Sequence, residues 1–554
     1  MLSDRDVVCI TCGRTISPSS SFTCPWCGSL QAAQHTQSGH ACARLLKTPR
    51  LSLRSLAQNN IPVIETTYLT LGGGLGSFAW VDYLRVSGVS LGHITVIGNE
   101  TIPYTRFQRL CVNSQINDQE RIRSDSGARP DNVWGWPGYA VQEIATLLRH
   151  GQIREASRIA WQILAEPALA DVYTPRAALV FASLEREMKR IGWPQMMRQG
   201  EIVGVRQTDD GRFAAAYLPH VAGRTPSPAV VVAPYLHLAL GYPGIHLAPE
   251  TQVYRQATGD TRLVVQAYEE HEHIYQQLGE RGGLLILRGR GIVASRILQR
   301  LDEIRQATGH TIQVIHLLRA PHTQNTVYGP ARRQTRYHMQ WQPFNWPKAL
   351  VGGDLRAMLA EATPQERQTL LANWGGVTTS NRRDWQELVG RGEKEGWYRV
   401  CFGEVEKIVG NGRGRVITHI CTQNLPQGKP QPARLVADFV LDCTGLNTAL
   451  RLHPILNDLC EQYQLPLNPS GQLALSHDFE LTRLRNGEGR AFIAGVMAFG
   501  NGFAPVDSFM GLEYAAQRSV DALVNDNAPG LHRLNGLHSL RQWLRWLRGF
   551  TPHG

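Results

Sequence analysis

The feature that most limits what this chain can fold into is a glycine-rich turn that occurs twice, each time between an apolar strand and a helix. The first copy reads YLTLGGGLGS from Tyr68 to Ser77, with a helix expected to follow to Val86 and a second strand over 93–97. The second reads LLILRGRGIVA from Leu284 to Ala294, followed by a helix and the strand Ile312–Leu317. A strand that reverses into a helix this sharply needs a residue without a Cβ at the turn. A second glycine lets the backbone approach a phosphate at the helix N-terminus, where free amides and the helix dipole favour an anion. A third, small residue lets the helix lie close on the strand. Gly72, Gly74 and Ser77 fit this frame, and Gly74, Gly76 and Ala79 fit it equally well. In the second copy Gly289, Gly291 and Ala294 fit. Two such strand–turn–helix–strand units predict an α/β chain with two Rossmann-like, parallel-sheet domains that each hold a dinucleotide.

The residue just past the second strand of each unit usually meets the ribose. In the first unit that end reads Gly98-Asn99-Glu100, so Glu100 is the candidate, displaced by a residue or two. In the second unit Arg319 stands there, and a basic residue suits the 2′-phosphate of NADP, which favours NADP over NAD. Two further segments repeat a pattern: VVVAPYLHLALG from Val230 to Gly241 and VADFVLDCTG from Val436 to Gly445. Each is an apolar strand that ends in a glycine, and each follows a strand-rich stretch with a turn, such as 203–213. Near the end comes Ala491–Gly495, with a helix expected over 508–523.

In this order the five segments resemble the flavoproteins with two dinucleotide-binding domains. Within them the chain is most similar to flavin-dependent N-hydroxylating and related class B monooxygenases, and more loosely to pyridine nucleotide–disulfide reductases. The resemblance spans about 61–525 of the 554 residues. It implies FAD held by the first and last segments, through Gly72, Gly74, Gly76, Ser77, Glu100, Gly495 and Asp507. It implies NADP, or NAD, held by Gly289, Gly291, Ala294 and Arg319. Hydride would pass from nicotinamide to flavin and on to an acceptor, either a small-molecule substrate with dioxygen or a protein electron acceptor. Two departures stand out. The last motif of such proteins carries Gly-Asp, whereas Gly495 precedes Val496 and the nearest acid is Asp507. No CxxC pair lies within the nucleotide folds, so a disulfide-reductase reaction lacks its redox pair. Cys111, Cys401, Cys421, Cys443 and Cys460 are isolated and read as small buried hydrophobes. A rival reading, resting on these departures, is a degenerate nucleotide-binding scaffold that senses redox state or docks protein or nucleic acid.

The N-terminus carries a separate signal. Cys9, Cys12, Cys24 and Cys27 form two CxxCG turns, the frame of a four-thiolate site. The unit resembles a short zinc ribbon and also the rubredoxin modules of electron-transfer proteins. The spacer favours zinc, with iron the alternative. Ten cysteines in so long a chain are too few for a disulfide framework. With no signal peptide and no long apolar run, a soluble cytoplasmic protein is expected. The net charge of +11 is diluted over the chain, and nucleic acid is a disfavoured partner.

The expected organisation is a zinc ribbon at 1–29, a linker at 30–60, an FAD-binding domain from 61 to 250, an inserted NAD(P)-binding domain at 280–400, the returning FAD part at 401–530 and a basic amphipathic tail at 531–554. In the tail, Leu540, Trp543, Leu544 and Leu547 share one helical side, and Arg541, Arg545 and Arg548 the other. Packing on the protein is the favoured reading, with peripheral contact to an anionic membrane the alternative. In the loop 120–139, Arg123 could meet phosphate and Trp134 or Trp136 the flavin ring. The run Glu269–His273 reads as a solvated helix face rather than a metal cluster.

Overall fold

The computed structural model describes residues 7–9, 15, 16, 24, 46–122, 138–165, 173–220, 227–328, 331–342, 353–374, 379–422, 431–502 and 506–552. Two sheets organise them. The central part of the first runs, in spatial order, Arg490–Ile493, Tyr235–Leu238, Tyr68–Leu71, Ile94–Gly98 and Met197–Thr208, all parallel. An antiparallel extension, Phe213–Pro219 and Ala229–Ala233, continues from the last of these. The strands Tyr68–Leu71, Ile94–Gly98 and Tyr235–Leu238 are buried along their whole length because both faces are covered. Side chains alternate across the sheet. Tyr68 packs with Phe78, Trp80 and Leu84 of the helix Leu75–Val86, and with Val520 and Leu523 of the helix Phe509–Asn525. Leu69 and Leu71 pack on the other face with Leu456 and Leu459. Burying each such side chain is worth about 1.5–3 kcal/mol.

The second sheet is wholly parallel, in the order Val264–Gln266, Phe439–Asp442, Gly283–Arg288, Ile312–Leu318, Tyr398–Phe402. Leu285 and Leu287 face the helices Glu272–Arg281, Ile292–Thr308 and Arg383–Glu395. Ile286 faces a three-stranded antiparallel layer of Glu404–Gly410, Val416–Thr422 and Gln431–Ala437. The α/β class with two parallel-sheet nucleotide folds is therefore the architecture of the chain.

The structure corrects several boundaries. Tyr398–Phe402 and Phe439–Asp442 both belong to the second sheet, so that unit runs to about Asp442 rather than 400. Residues 46–58 are not a loose linker. Arg50–Leu51 pairs with the Met197–Thr208 strand, and Leu46, Leu51 and Leu56 are buried against Ala214, Val230 and Val232. The apolar residues of that segment are spaced too irregularly for either period to register. Nor is Glu269–His273 a solvated face. Glu269 is fully buried in an ion pair with Arg255 at 2.6 Å, and His271 is buried with Nε2 3.1 Å from the Tyr275 hydroxyl. Of the isolated cysteines, Cys111 and Cys443 are buried, while Cys401, Cys421 and Cys460 are partly exposed. No helix among the described residues is long and apolar enough to cross a membrane.

One buried acid tests the packing of the first sheet. Burial pushes the Glu201 carboxyl up to about 9. Its folded value therefore lies above the unfolded one, near 4.3. The folded state is favoured at low pH, and that advantage is lost as pH rises from about 4 towards 9. Glu201→Gln should match the wild type at pH 4 and exceed it at pH 8 by about 2 kcal/mol or more. Urea midpoints at the two pH values would check this, and equal midpoints at pH 8 would refute the burial argument.

Candidate functional site

In the first turn Gly72 has φ +128°, and a Cβ there would stand 2.1 Å from the Ala239 carbonyl oxygen. Only glycine fits. Gly74 is the N-cap of the helix Leu75–Val86, in extended backbone, and a Cβ there would meet nothing within 4 Å. The helix N-terminus thus opens onto unfilled space. Ser77 is buried and accepts a hydrogen bond at 2.9 Å from the Thr70 hydroxyl, which lies 2.9 Å from His237 Nδ1. Turn, cap and packing positions therefore fall on 72, 74 and 77. Gly76 lies inside the helix, with its Cβ position 3.0 Å from the Ala239 methyl.

The second turn repeats the arrangement. Gly289 has φ +107°, and its Cβ would stand 2.9 Å from the Cys443 carbonyl oxygen. Gly291 caps the helix Ile292–Thr308 in extended backbone, and Ala294 is buried behind it. In both units the glycine-ended strand from far along the sequence supplies the carbonyl that the turn glycine touches: Ala239 for Gly72, Cys443 for Gly289. The pattern shared by the segments Val230–Gly241 and Val436–Gly445 is this contact, made twice.

The candidate ribose contacts differ. Glu100 lies beside the first turn, its carbonyl oxygen 3.4 Å from a Cβ at Gly73, and its half-exposed carboxylate pairs with Arg109 at 3.1 Å. Arg319 projects into solvent past its strand and pairs distantly with Glu404, at 3.9 Å. Arg290, inside the second turn, instead folds back and donates to the Ala320 carbonyl.

The two units are joined by a crossing that the sequence did not reveal. The segment leaving the first sheet after Gly241 and the one returning after Cys443 bond to each other. The Asn447 amide donates to Gly244 at 3.0 Å, and Gln266 Nε2 donates to the Gly445 carbonyl at 2.6 Å. Around this crossing lie polar groups from both units. The Tyr242 hydroxyl donates to the Asp507 carboxylate, Arg106 donates to the Tyr242 carbonyl at 2.8 Å, and Asn113 donates to the Tyr268 carbonyl at 2.7 Å. Asp507 stands just before the helix Phe509–Asn525, whose N-cap Ser508 accepts from the Gly511 amide at 3.0 Å. Leu512 of that helix lies 3.4 Å from a Cβ at Gly76 and 3.8 Å from one at Gly495. First and last segments thus meet, and Asp507 sits at the helix start rather than beside Gly495. Burial, with Asp507 alongside, holds Tyr242 well above the ordinary tyrosine range, and burial pushes Tyr268 up to about 12. Burial, then Asp442, also raises the Cys443 thiol well above its ordinary value. These groups remain protonated at neutral pH. They can donate hydrogen bonds, and Cys443 is no thiolate nucleophile.

A second inter-unit contact was also missed. Glu120, from the first unit, forms an ion pair with Arg296 at 2.5 Å and accepts from Arg382 at 2.6 Å, both of the second. The two guanidiniums lie over Trp385, at 5.0 and 4.2 Å from its ring centre. Nothing in the sequence spacing links Glu120 to residues so distant in the chain.

Arg123, Trp134 and Trp136 lie outside the described residues, as do Cys12 and Cys27. Val7–Val8 pairs antiparallel with Thr15–Ile16, and Cys9 and Cys24 are buried in one apolar cluster with Ile245 and Leu247 of the crossing. Among the described residues no group of three or more His, Cys, Asp or Glu is arranged to hold a metal.

No protein-family model and no curated protein matches the sequence. Solved structures do. The ornithine hydroxylase of Pseudomonas aeruginosa is 14% identical, with a TM-score of 0.58 over 83% of this chain and 99% of that one. The FAD-bound cadaverine monooxygenase of the desferrioxamine pathway of Erwinia amylovora is 12% identical, with a TM-score of 0.59 over 85% and 97%. The ornithine N-hydroxylase of Kutzneria sp. 744, solved with reduced FAD, NADP+ and L-ornithine, is 10% identical, with a TM-score of 0.58 over 84% and 100%. At such identities the likeness is one of fold, and over 83–85% of its length this chain has the two-domain fold of these hydroxylases and monooxygenases.

Proposed function

We propose that the chain is an FAD-dependent, NADPH-using oxidoreductase of the N-hydroxylating monooxygenase type, acting on a small-molecule substrate. The observation that carries this is the doubled cradle: two helix N-termini, each opened by a glycine turn seated on the carbonyl of a distant strand. Gly72, Gly74, Gly76 and Ser77 fit an FAD pyrophosphate, with Gly495 and the Phe509–Asn525 helix start closing the site. Glu100 is suited to the ribose once it leaves Arg109. Gly289, Gly291 and Ala294 fit the NADP pyrophosphate, and Arg319 its 2′-phosphate. A bound flavin would take hydride from the nicotinamide and deliver its electrons to an acceptor, dioxygen with an amine substrate being the reading favoured here. The chain's own part is to bind, orient and exclude water. Asp507 is held by Tyr242 at the start of the Phe509–Asn525 helix, where it can orient a polyol hydroxyl in place of the missing Gly-Asp acid. Tyr268 and Cys443 stay protonated at neutral pH, and a protonated Cys443 disfavours thiol–disulfide exchange. We also propose that Cys9, Cys12, Cys24 and Cys27 bind zinc, on the strength of the Val7–Val8 hairpin and the shared burial of Cys9 and Cys24.

The visible spectrum and metal content of one purified preparation, followed by anaerobic NADPH, test this reading. A yellow flavin band that bleaches, with one zinc per chain, is expected. Colourless protein that binds no added FAD would sink it and favour the scaffold reading. Arg319→Ala should raise the KM for NADPH about tenfold while leaving that for NADH unchanged, the loss of one charge-assisted contact. Equal effects on both would remove Arg319 from the 2′-phosphate.

A further inference from the structure

The last helix, Gly536–Leu547, turns its leucines to solvent. Leu537, Leu540, Leu544 and Leu547 are 82%, 42%, 40% and 51% exposed. At 3.6 residues per turn they fall in one narrow sector, and exposed Arg541 and Arg548 flank it. The opposite side is already engaged. Gln542 is buried and donates to the Val86 carbonyl at 3.0 Å, His538 lies 3.1 Å from the same oxygen, and Arg186 sits 6.0 Å from the Trp546 ring. The helix is therefore held by the side opposite its leucines. Leucines at this spacing ordinarily face a core. Here they stand outside, beside cationic side chains.

Charge identifies the occupant. From Asn527 to Gly554 the chain has no Asp or Glu, and it has Arg533, Arg541, Arg545 and Arg548. A second exposed apolar and basic element lies on the same neighbour. The helices Gly138–Arg149 and Ile153–Ala165 leave Leu148, Ile153, Trp161 and Leu164 exposed, with Arg149, Arg154 and Arg158 among them. Gln142 of that pair contacts Ser183 at 3.3 Å, on the helix Ala177–Arg190 that also carries Arg186. A second copy laid on the leucine stripe would bring like charges together. A surface of anionic lipid head groups over acyl chains complements the leucine stripe and the arginines beside it.

We propose that Gly536–Leu547 is a peripheral membrane-docking helix, its leucines inserted at the acyl boundary and its arginines on anionic head groups. The inference is independent of the redox reading and holds whether or not flavin binds.

The test is co-sedimentation of the full chain with vesicles of phosphatidylcholine alone, or of phosphatidylcholine and phosphatidylserine in equal parts. Binding is expected only to the second, and it should fall as salt screens the arginines. Replacing Leu540, Leu544 and Leu547 together by serine should lower partitioning at least about tenfold, with an unchanged circular-dichroism melt. Should that variant fail to fold, the pair Arg541→Gln and Arg548→Gln, both exposed, should show the same loss. Wild-type protein that stays in the supernatant overturns the proposal, as does equal binding to neutral vesicles. A wild-type dimer that becomes monomeric in the leucine variant, without vesicle binding, assigns the stripe to a second copy and equally overturns it.

Discussion

Gly74→Asp should yield a folded protein that has lost its flavin, whereas Gly72→Val should yield little folded protein. The two positions are two residues apart in the same turn, and the physics at each is different. At Gly72 the backbone has φ +128° and a Cβ would meet the Ala239 carbonyl oxygen at 2.1 Å. A β-branched residue there carries both conformational strain and a clash with immovable backbone, together about 4 kcal/mol or more. At Gly74 the backbone is extended and the Cβ position is open. Aspartate is a good N-cap, so the fold should be unharmed or a few tenths of a kcal/mol more stable. Its carboxylate would, however, occupy the seat proposed for a pyrophosphate and repel it. We expect FAD affinity to fall at least about 100-fold, or about 2.7 kcal/mol. Flavin absorbance per chain, read with the thermal midpoint, separates the two effects. A Gly74→Asp protein with full flavin content would refute the assignment of the first cradle.

Glu120→Ala should be among the most damaging substitutions outside the turns. Arg296 is almost fully buried and Glu120 nearly so. Removing the carboxylate leaves a buried guanidinium without its partner, which costs about 3–5 kcal/mol. Because the pair joins the two units, the loss should also loosen their relative placement and slow NADPH-driven flavin reduction more than it weakens NADPH binding. Burial alone would raise the Glu120 carboxyl, but the charges of Arg296 and Arg382 outweigh it and hold it below the ordinary glutamate range. With a folded value below the unfolded one, the stabilisation is fully present above about pH 4.3 and is lost as pH falls through the folded value. Glu120→Gln should therefore flatten the acid limb of the stability profile. A wild-type acid limb in that variant would show that the pair contributes nothing.

Much of this architecture was legible in the residues because it depends on local rules. A glycine forced to positive φ, a small residue under a helix and an uninterrupted apolar strand leave marks a few residues wide. So Gly289, Gly291 and Ala294 fall where turn geometry demands them, Gly72, Gly74 and Ser77 are one of the two registers open to the first turn, and the two glycine-ended strands lie beside the turns. The unit boundaries were less legible. A strand such as Phe439–Asp442 carries no mark of which sheet it joins, since an apolar tetrapeptide suits either. The burial of Glu269 and His271 leaves no mark in the sequence, because charge there says nothing of a partner such as Arg255, which only the fold brings to it.

By itself the sequence determined that there are two strand–turn–helix units and narrowed the first turn to two registers, because those are properties of backbone sterics and periodicity along neighbouring residues. Only the tertiary structure decided that Ala239 and Cys443 seat the two turns, that Tyr242 holds Asp507, that Glu120 ties Arg296 and Arg382 across the units and that the last helix faces outward by its leucines. Each of these joins residues far apart in the chain, and such contacts are selected by the packing of whole layers, not by the spacing of side chains within any one segment.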